Sequence, residues 1–530
     1  MSTVAVARAH SSTLLESTYV VRGPLSPDAI TRSLQALLPT RHHTIRIRRL
    51  TVLDTFDGRV RRAGARLTRR DGKETDTVAW RRPGRGSNLT IRLDGPVGFA
   101  WDLPDGPFRR AVAPVIGARR LIAQALTETS GSVLDVLDDR HKTIARLRIE
   151  SGRARLPVPS HAWQPLPSMI TLSGLRGYED FYHSLLPVIE SRPGVEACPE
   201  GFDAETLRQL GGLPPVAAPP GTDLPPTVLA ESGARYIYKG LLRNLLANEP
   251  GLRADIDTEF LHDFRVAVRR TRSLLGQIKR TFPPDALAHF STEFSWLGRL
   301  TAAARDIDVL VLSLRSETDV IQPDDIRALT VFLGNARQRE HQKLIEALDS
   351  DRYKQLLTDW ASFLDRSAPQ HLDAPNAKRQ LFDVVAQRAW RLSRRIASRI
   401  ETVDDETSPG QLHEIRLAAK KLRYLTDVTP TFYDPADLEC ILTALKKVQR
   451  VLGDFNDAQV QEQRLVECVR VLAPADGLPG TLRALDHLAD LCRLRRQRLR
   501  GLVADGLARF RSGRTQAACR RAFRQARPAE

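Results

Sequence analysis

The sequence predicts an α+β multidomain protein. An N-terminal antiparallel β-barrel or tunnel-like domain with helices precedes a C-terminal all-α helical bundle of two pseudo-symmetric halves. Three observations carry this expectation. Short β-prone runs separated by turn residues fill the region before residue 150. A Pro- and Gly-rich stretch, Gly211–Pro226 (GGLPPVAAPPGTDLPP), then interrupts the chain. Beyond it helical periodicity persists, and a twelve-residue pattern occurs twice.

Taken in order, Leu14–Arg22 (LLESTYVVR) reads as a strand. Ser26–Leu38 sets a Ser before a Pro at the first helical position, a helix start signal. The runs Thr44–Leu53, Ala65–Arg70, Thr77–Arg81, Leu89–Leu93, Ser132–Leu137 and Thr143–Ile149 follow. Strands spaced in this way predict a sheet closed or curled into a barrel. The nearly uncharged Pro/Gly stretch predicts a stiff, extended linker. The expected boundaries are a first domain at 1–205, a linker at 206–226 and a helical domain at 227–525. Its halves fall near 227–365 and 376–525.

Leu261–Arg272 reads LHDFRVAVRRTR and Leu412–Arg423 reads LHEIRLAAKKLR. Leu297–Asp308 (LGRLTAAARDID) is followed in the same way by Leu445–Asn456 (LKKVQRVLGDFN), and a weaker pair links Arg337–Ala347 with Arg495–Asp505. On an α-helix, His262, Arg265, Arg269 and Arg272 fall on one face, within a sector of roughly 100°. An apolar stripe of Leu261, Phe264, Val268 and Leu275 runs beside it. His413, Arg416, Lys420 and Arg423 repeat the row, beside Leu412, Ile415, Ala419 and Leu422. Ser408-Pro409-Gly410-Gln411 forms a capping box that places His413 in the opening turns.

Like charges four apart repel by a few tenths of a kcal/mol per pair. Fold stability gives no reason to build such a row twice. A ligand with regularly spaced anionic groups relieves the repulsion, and the arginine fork accepts two phosphate oxygens at once. The competing reading is a solvated basic face, the commoner meaning of one such helix taken alone. Asp306, Asp308, Asp454 and Asp457 follow the second helix of each half. They read as caps of the next helix or as carboxylates that orient the cations from behind.

Composition bounds the partners. The chain has 530 residues and a net charge of +17, with an isoelectric point near 10.1. Residues 1–226 carry 31 basic and 23 acidic side chains, and residues 227–530 carry 49 and 40, so both regions share the excess. Such a charge favours an anionic partner. Five scattered cysteines without a C-x-x-C pair argue against a disulfide framework or a zinc site and fit a reducing compartment. No apolar run approaches a membrane span, so no membrane partner is expected and the expected location is the cytoplasm.

The repeated motifs resemble the CHAD domain, the conserved-histidine α-helical domain. LHDFRVAVRRTR, WLGRLTAAARDIDVL, LHEIRLAAKKLRYL and LKKVQRVLGDFNDAQV carry that resemblance over residues 227–525. It implies a helical domain with internal pseudo-twofold symmetry that binds inorganic polyphosphate and associates with polyphosphate granules. The implied binding residues are His262, Arg265, Arg269, Arg272, His413, Arg416, Lys420 and Arg423, with Arg299 and Lys447 in second rank. The first 205 residues resemble a degenerate CYTH domain, a triphosphate-tunnel fold, through Leu53–Arg70 (LDTFDGRVRRAGARLTRR), TVAWRRPG, Val136–Ile149 and Leu175–Tyr178. Active relatives open with Glu-x-Glu-x-Lys. Here Glu16-Ser17-Thr18-Tyr19-Val20 retains only Glu16. Arg59, Arg61, Arg66, Arg69 and Arg70 are the candidates for a phosphate-holding tunnel.

The expected function is polyphosphate binding by a bacterial, non-catalytic adaptor or granule-associated factor with no cofactor. Two alternatives stand beside it. One is a triphosphatase or polyphosphatase that uses Glu16 with Mg²⁺ or Mn²⁺. The other is nucleic-acid binding, which the helices' lack of stacking aromatics disfavours.

Overall fold

In the computed structural model the chain separates into two compact units, 1–216 and 217–530. The structure describes residues 8–11, 15–23, 26–71, 75–82, 87–93, 95, 97–199, 201–211, 221, 223–314, 322–366, 373–404, 406–472 and 479–525. Of the expected linker at 206–226, residues 212–220 and 222 lie outside the described residues.

The first unit is a ten-stranded antiparallel sheet. Its strands are β1 (Arg8–Ser11), β2 (Glu16–Val21), β3 (Thr40–Asp54), β4 (Arg66–Arg70), β5 (Asp76–Arg82), β6 (Ser87–Leu93), β7 (Ile122–Leu137), β8 (Thr143–Arg155), β9 (Gln164–Gly174) and β10 (Val195–Ala197). The order across the sheet is β1-β6-β5-β4-β3-β7-β8-β9-β2-β10. The helices are α1 (Pro27–Gln35), α2 (Arg59–Arg62), α3 (Pro107–Ile116), α4 (Glu179–Glu190) and α5 (Gly201–Gln209). The Ser26 hydroxyl caps α1 by accepting from Ala29 N at 3.2 Å, as the Ser-Pro signal predicts.

Burial shows why the sheet curls. Leu134, Leu147, Ile149 and Ile170 pack with Leu34 of α1 and Leu185 and Ile189 of α4. Leu67, Trp80 and Ile91 pack with Phe108, Val112 and Ile116 of α3. Helices thus cover the sheet in two places, and a third cluster joins Val20, Val52 and Met169 to Phe202 and Leu207 of α5. β2 and β5 stand six places apart, about 29 Å on a flat sheet. Yet Glu16, Arg66 and Arg81 line one cavity of about 820 Å³. The sheet is therefore strongly curled, and its concave face holds that cavity.

The second unit is all helical: α6 (Ala230–Arg253), α7 (Thr258–Leu275), α8 (Pro284–Leu300), α9 (Ala302–Leu314), α10 (Pro323–Asp349), α11 (Asp351–Asp365), α12 (Leu381–Glu401), α13 (Pro409–Asp427), α14 (Pro435–Leu472), α15 (Pro479–Arg500), α16 (Val503–Arg511) and α17 (Gly513–Arg520). The halves repeat their packing. α7 lies between α6 and α8, α13 lies between α12 and α14, and α7 touches α13. One difference stands out. The first half breaks between α8 and α9 at Thr301, whereas α14 runs unbroken for 38 residues.

Candidate functional site

The apolar stripes seat the two basic helices. Phe260, Leu261, Phe264, Val268 and Leu275 are buried along α7, and Leu412, Ile415, Ala419 and Leu422 are buried along α13. Asp257 caps α7 by accepting from Glu259 N and Phe260 N. Ser408 and Gln411 close the capping box of α13. With one face fixed, the adjacent cation row cannot turn away from its partner helix.

The structure brings the middle of each row together. Arg269 Nε donates to the Tyr424 hydroxyl at 2.9 Å, which carries it from α7 onto α13. Arg265 donates through Nη1 to Gly298 O at 3.1 Å and Thr301 Oγ1 at 2.7 Å. Burial pushes Arg265 down to about 10; Asp306 opposes the shift, and Arg269, Arg305 and Arg464 add to it. Burial also lowers Arg416, with Asp457 opposing and Arg269 adding. Lys420 is pushed down to about 8, first by burial and then by Arg416 and Arg269. Four cations from two helices therefore share one partly desolvated space and repel one another.

The ends of the rows differ from their middles. Arg423 pairs with Asp427 at 3.4 Å and donates to Gln449 at 2.7 Å, so its charge is matched locally. Arg272 is exposed and lies across Gly298, where an added Cβ would meet its Nη1 at 2.9 Å. His413 Nδ1 faces Asn456 Oδ1 at 2.9 Å. An amide oxygen only accepts, so Nδ1 carries the proton and Nε2 is left for a ligand. His262 occupies the matching place on α7 and is partly buried. Arg299 is exposed on α8, and Lys447 is half-buried on α14.

The expectation that the acidic residues cap helices is corrected. Asp306 and Asp308 lie inside α9, and Asp454 and Asp457 lie in mid-α14, so none is a cap. Three of them hold cations instead. Asp457 accepts from Arg416 at 3.2 Å, Asp306 pairs with Arg464, and Asp308 pairs with Arg337 at 2.7 Å. The chain does not break at the acids as the sequence suggested: the first half breaks earlier, at Thr301, and α9 and α14 continue through them.

Sequence reasoning missed Arg305, Arg464 and Tyr424. Arg305 stands inside the repeated LGRLTAAARDID segment but has Gly453 in the matching place, so the repeat comparison passed over it. Arg464 lies beyond the repeated motif, four turns along α14 from Lys447 and Gln449 by helix geometry. Tyr424 follows the second row directly and carries no charge.

In the first unit the cavity collects Glu16, Asp54, Arg61, Arg66, Arg81, Glu190 and Asp203. Only two of the five arginines expected there, Arg61 and Arg66, line it. Arg59 binds Asp57 at 2.9 Å and Ile116 O at 2.9 Å. Arg69 binds Asp71 at 2.9 Å, and Arg70 is exposed at the end of β4. Between the strands β3 and β4 that the runs Thr44–Leu53 and Ala65–Arg70 predict, Arg59 and Arg61 lie on the short helix α2. Asp54 fixes it by accepting from the amides of Thr55, Val60 and Arg61 at 2.7, 2.8 and 3.2 Å. Arg81, on β5, is pushed down to about 10 by burial and by Arg66 and Arg148.

The carboxylates of this cavity do not fit a divalent ion. Asp54 is taken up by three amides. Glu190 accepts from the Tyr19 hydroxyl at 3.2 Å. Asp203 is held by Arg66 at 2.7 Å. Glu16 is left as the one lining carboxylate without such a bond, and among the described residues no three His, Cys, Asp or Glu side chains group to hold an ion. Glu150, on β8, accepts from Thr129 at 3.2 Å and faces Arg48 and Arg148 at 3.9 Å.

In comparison with known proteins, a family match falls within the helical unit. Residues 237–466 match the family described as the CHAD domain. Two uncharacterized proteins of Mycobacterium tuberculosis, MT2285 and Rv2226, are each 27% identical over 280 residues, covering 51% of this chain and 51% of theirs. The chain thus spans about half the length of the curated relatives it matches. The CHAD domain of the plant Ricinus communis aligns at 24% identity and a TM-score of 0.43, covering 58% of this chain and 96% of that one. HpAC1 of Hippeastrum, described as having a dominant triphosphatase activity, aligns at 12% identity and a TM-score of 0.26, covering 38% of this chain and 98% of that one. Among the described residues no helix is long and apolar enough to cross a membrane.

Proposed function

With a CHAD domain at residues 237–466 as the premise, we propose that this chain binds inorganic polyphosphate at the junction of α7 and α13. The observation that carries the reading is the convergence of Arg265, Arg269, Arg416 and Lys420 in a partly desolvated space where Arg269 depresses Arg265, Arg416 and Lys420, and Arg416 depresses Lys420 as well. A chain of phosphates replaces mutual repulsion with attraction and charge-assisted hydrogen bonds. Arg305 and Arg464 widen the cluster, and His262 and His413 stand at the opening turns of its two helices.

The reading is a binding function without catalysis. Three of the four carboxylates lining the first unit's cavity, Asp54, Glu190 and Asp203, are engaged by amides, a phenol and Arg66, and Glu16 alone is not a donor set for the ion that would activate water. The finer role is that of an adaptor or a polyphosphate-granule factor.

The test is calorimetric titration of the full chain with long-chain polyphosphate at physiological salt. Alongside it goes a variant with Arg265, Arg269, Arg416 and Lys420 changed to Ala, with its helicity checked by circular dichroism. The expected result is a loss of at least roughly a hundredfold in affinity, as for removal of several phosphate contacts. Equal binding by both proteins sinks the reading. Competition by excess RNA of equal phosphate concentration sinks it in favour of nucleic acid.

A further inference from the structure

α6 and α12 hold the same place in the two halves, each packed against its half's basic helix. On α6 the cations are matched. Arg235 pairs with Glu231 at 2.7 Å, Lys239 with Asp365 at 2.7 Å, and Arg253 with Glu249 at 2.8 Å and Asp349 at 2.7 Å. Arg243 is the exception.

On α12 the pattern reverses. Arg388, Arg391, Arg395 and Arg399 follow spacings of three, four and four, a row within a sector of roughly 80°. The buried residues Val385, Ala389, Leu392, Ile396 and Ile400 seat the helix on the adjacent face, centred about 100° from the row. Arg388 donates to the neutral Gln277 amide at 2.7 Å, and its guanidinium is depressed by burial and then by Arg391 and Arg395. Among the described residues no carboxylate pairs with Arg391 or Arg394. Glu414 is shared: it pairs with Arg399 and stands 3.9 Å from Arg395.

Glu414 also locates the row. By helix geometry Glu414 and Lys421 occupy the edge of α13 opposite its His413–Arg423 row. The α12 arginines therefore border the far side of α13, and a ligand reaches both rows only by crossing one helix, about 10 Å wide.

We infer that the Arg388–Arg391–Arg395–Arg399 row of α12 is a second polyphosphate track, engaged only by chains long enough to cross α13 from the α7–α13 cluster. This inference rests on the reading above and adds chain-length selection to it. Nucleic acid fits the track less well. Trp390, the aromatic of α12 beyond Phe382, lies about 140° round the helix from the row and has guanidinium carbons of Arg394 and Arg524 at 5.9 and 6.0 Å from its ring centre, so it offers the track no stacking platform for a base.

The experiment compares the full chain with an Arg391→Ala/Arg395→Ala variant, titrated with tripolyphosphate and with polyphosphate of about a hundred units. The expected result is unchanged tripolyphosphate affinity and a roughly tenfold weaker long chain. The slope of log affinity against log salt should shrink by about 1.4, two phosphate contacts' worth on a single-strand scale. Unchanged long-chain binding overturns the inference, as does equal weakening of both ligands. RNA binding that falls in parallel with long-chain polyphosphate overturns its ligand assignment. An Arg391→Lys/Arg395→Lys variant that restores long-chain affinity rules out misfolding as the cause. Failure of the unsubstituted protein to bind either polyphosphate would instead break the underlying reading.

Discussion

The curled-sheet cavity and the α7–α13 cluster are built from the same residue type and reach opposite electrostatic solutions. In the cavity, Arg66 meets Asp203 at 2.7 Å, and elsewhere on the sheet Arg48 and Arg148 each meet Glu150 at 3.9 Å. In the cluster, Arg265, Arg269, Arg416 and Lys420 come together with Asp457 and Asp306 as nearby acids, and among the described residues Lys420 has no carboxylate partner. A buried cation with its own acid is a structural element, while one without is a vacancy for an external anion. Arginine content alone does not tell the two apart.

The largest expected effect tests that contrast through stability. Asp203→Asn leaves Arg66 half-buried beside Arg81 without its acid, at a cost of about 2 kcal/mol. That corresponds to a fall of roughly 4–8 °C in the melting temperature of the first unit. Lys420→Met should do the reverse, leaving thermal stability equal or slightly higher while weakening polyphosphate binding. Scanning calorimetry of both variants decides the matter. Destabilisation by both would erase the distinction.

The next effect lies in pH. Lys420 is held near 8, below the ordinary lysine value of about 10.4. The unfolded chain therefore binds more protons between those values. The penalty of burying the charge is fully present below about 8 and fades as the pH rises toward 10.4. Bound phosphate restores the proton, so binding takes up a proton above pH 8. Affinity should fall by up to about tenfold per pH unit there, and calorimetric enthalpy should vary with buffer ionisation. Lys420→Arg should flatten both. A flat profile in the unsubstituted protein would remove Lys420 from the site.

The smallest effect sharpens the comparison from within the cluster. Asp306 pairs with Arg464 and favours the charge on Arg265. Asp306→Asn should tighten polyphosphate binding by roughly threefold, about 0.6 kcal/mol, as expected when a competing partly exposed carboxylate is removed. Weaker binding would instead make Asp306 a residue that positions the arginines.

Much of this was legible in the sequence, and for identifiable reasons. The stripe of Leu261, Phe264 and Val268 forecast the buried face of α7, so the row beside it followed from periodicity. The Ser408–Gln411 box forecast the start of α13. The cavity was less legible. Strand register decides which arginine points inward, and Arg59 and Arg61 sit on a helical turn between two strands, which no strand pattern places. Asp306, Asp308, Asp454 and Asp457 were misread because cap signals are local, whereas the packing that continues α9 and α14 through them is tertiary. Tyr424 was invisible because nothing local marks a neutral residue as a bridge between helices.

Tyr424 bears on how the site is tuned. Its hydroxyl accepts from Arg269 at 2.9 Å, and its ring lies 5.7 Å from the Arg270 guanidinium carbon. A free arginine side chain surrenders up to about 2 kcal/mol of rotamer entropy when it is immobilised. By holding Arg269 before any ligand arrives, the tyrosine moves that loss from the binding step into the folding step. Affinity can therefore drift over evolutionary time through an uncharged position, with the protein's net charge, and every long-range attraction that depends on it, left untouched.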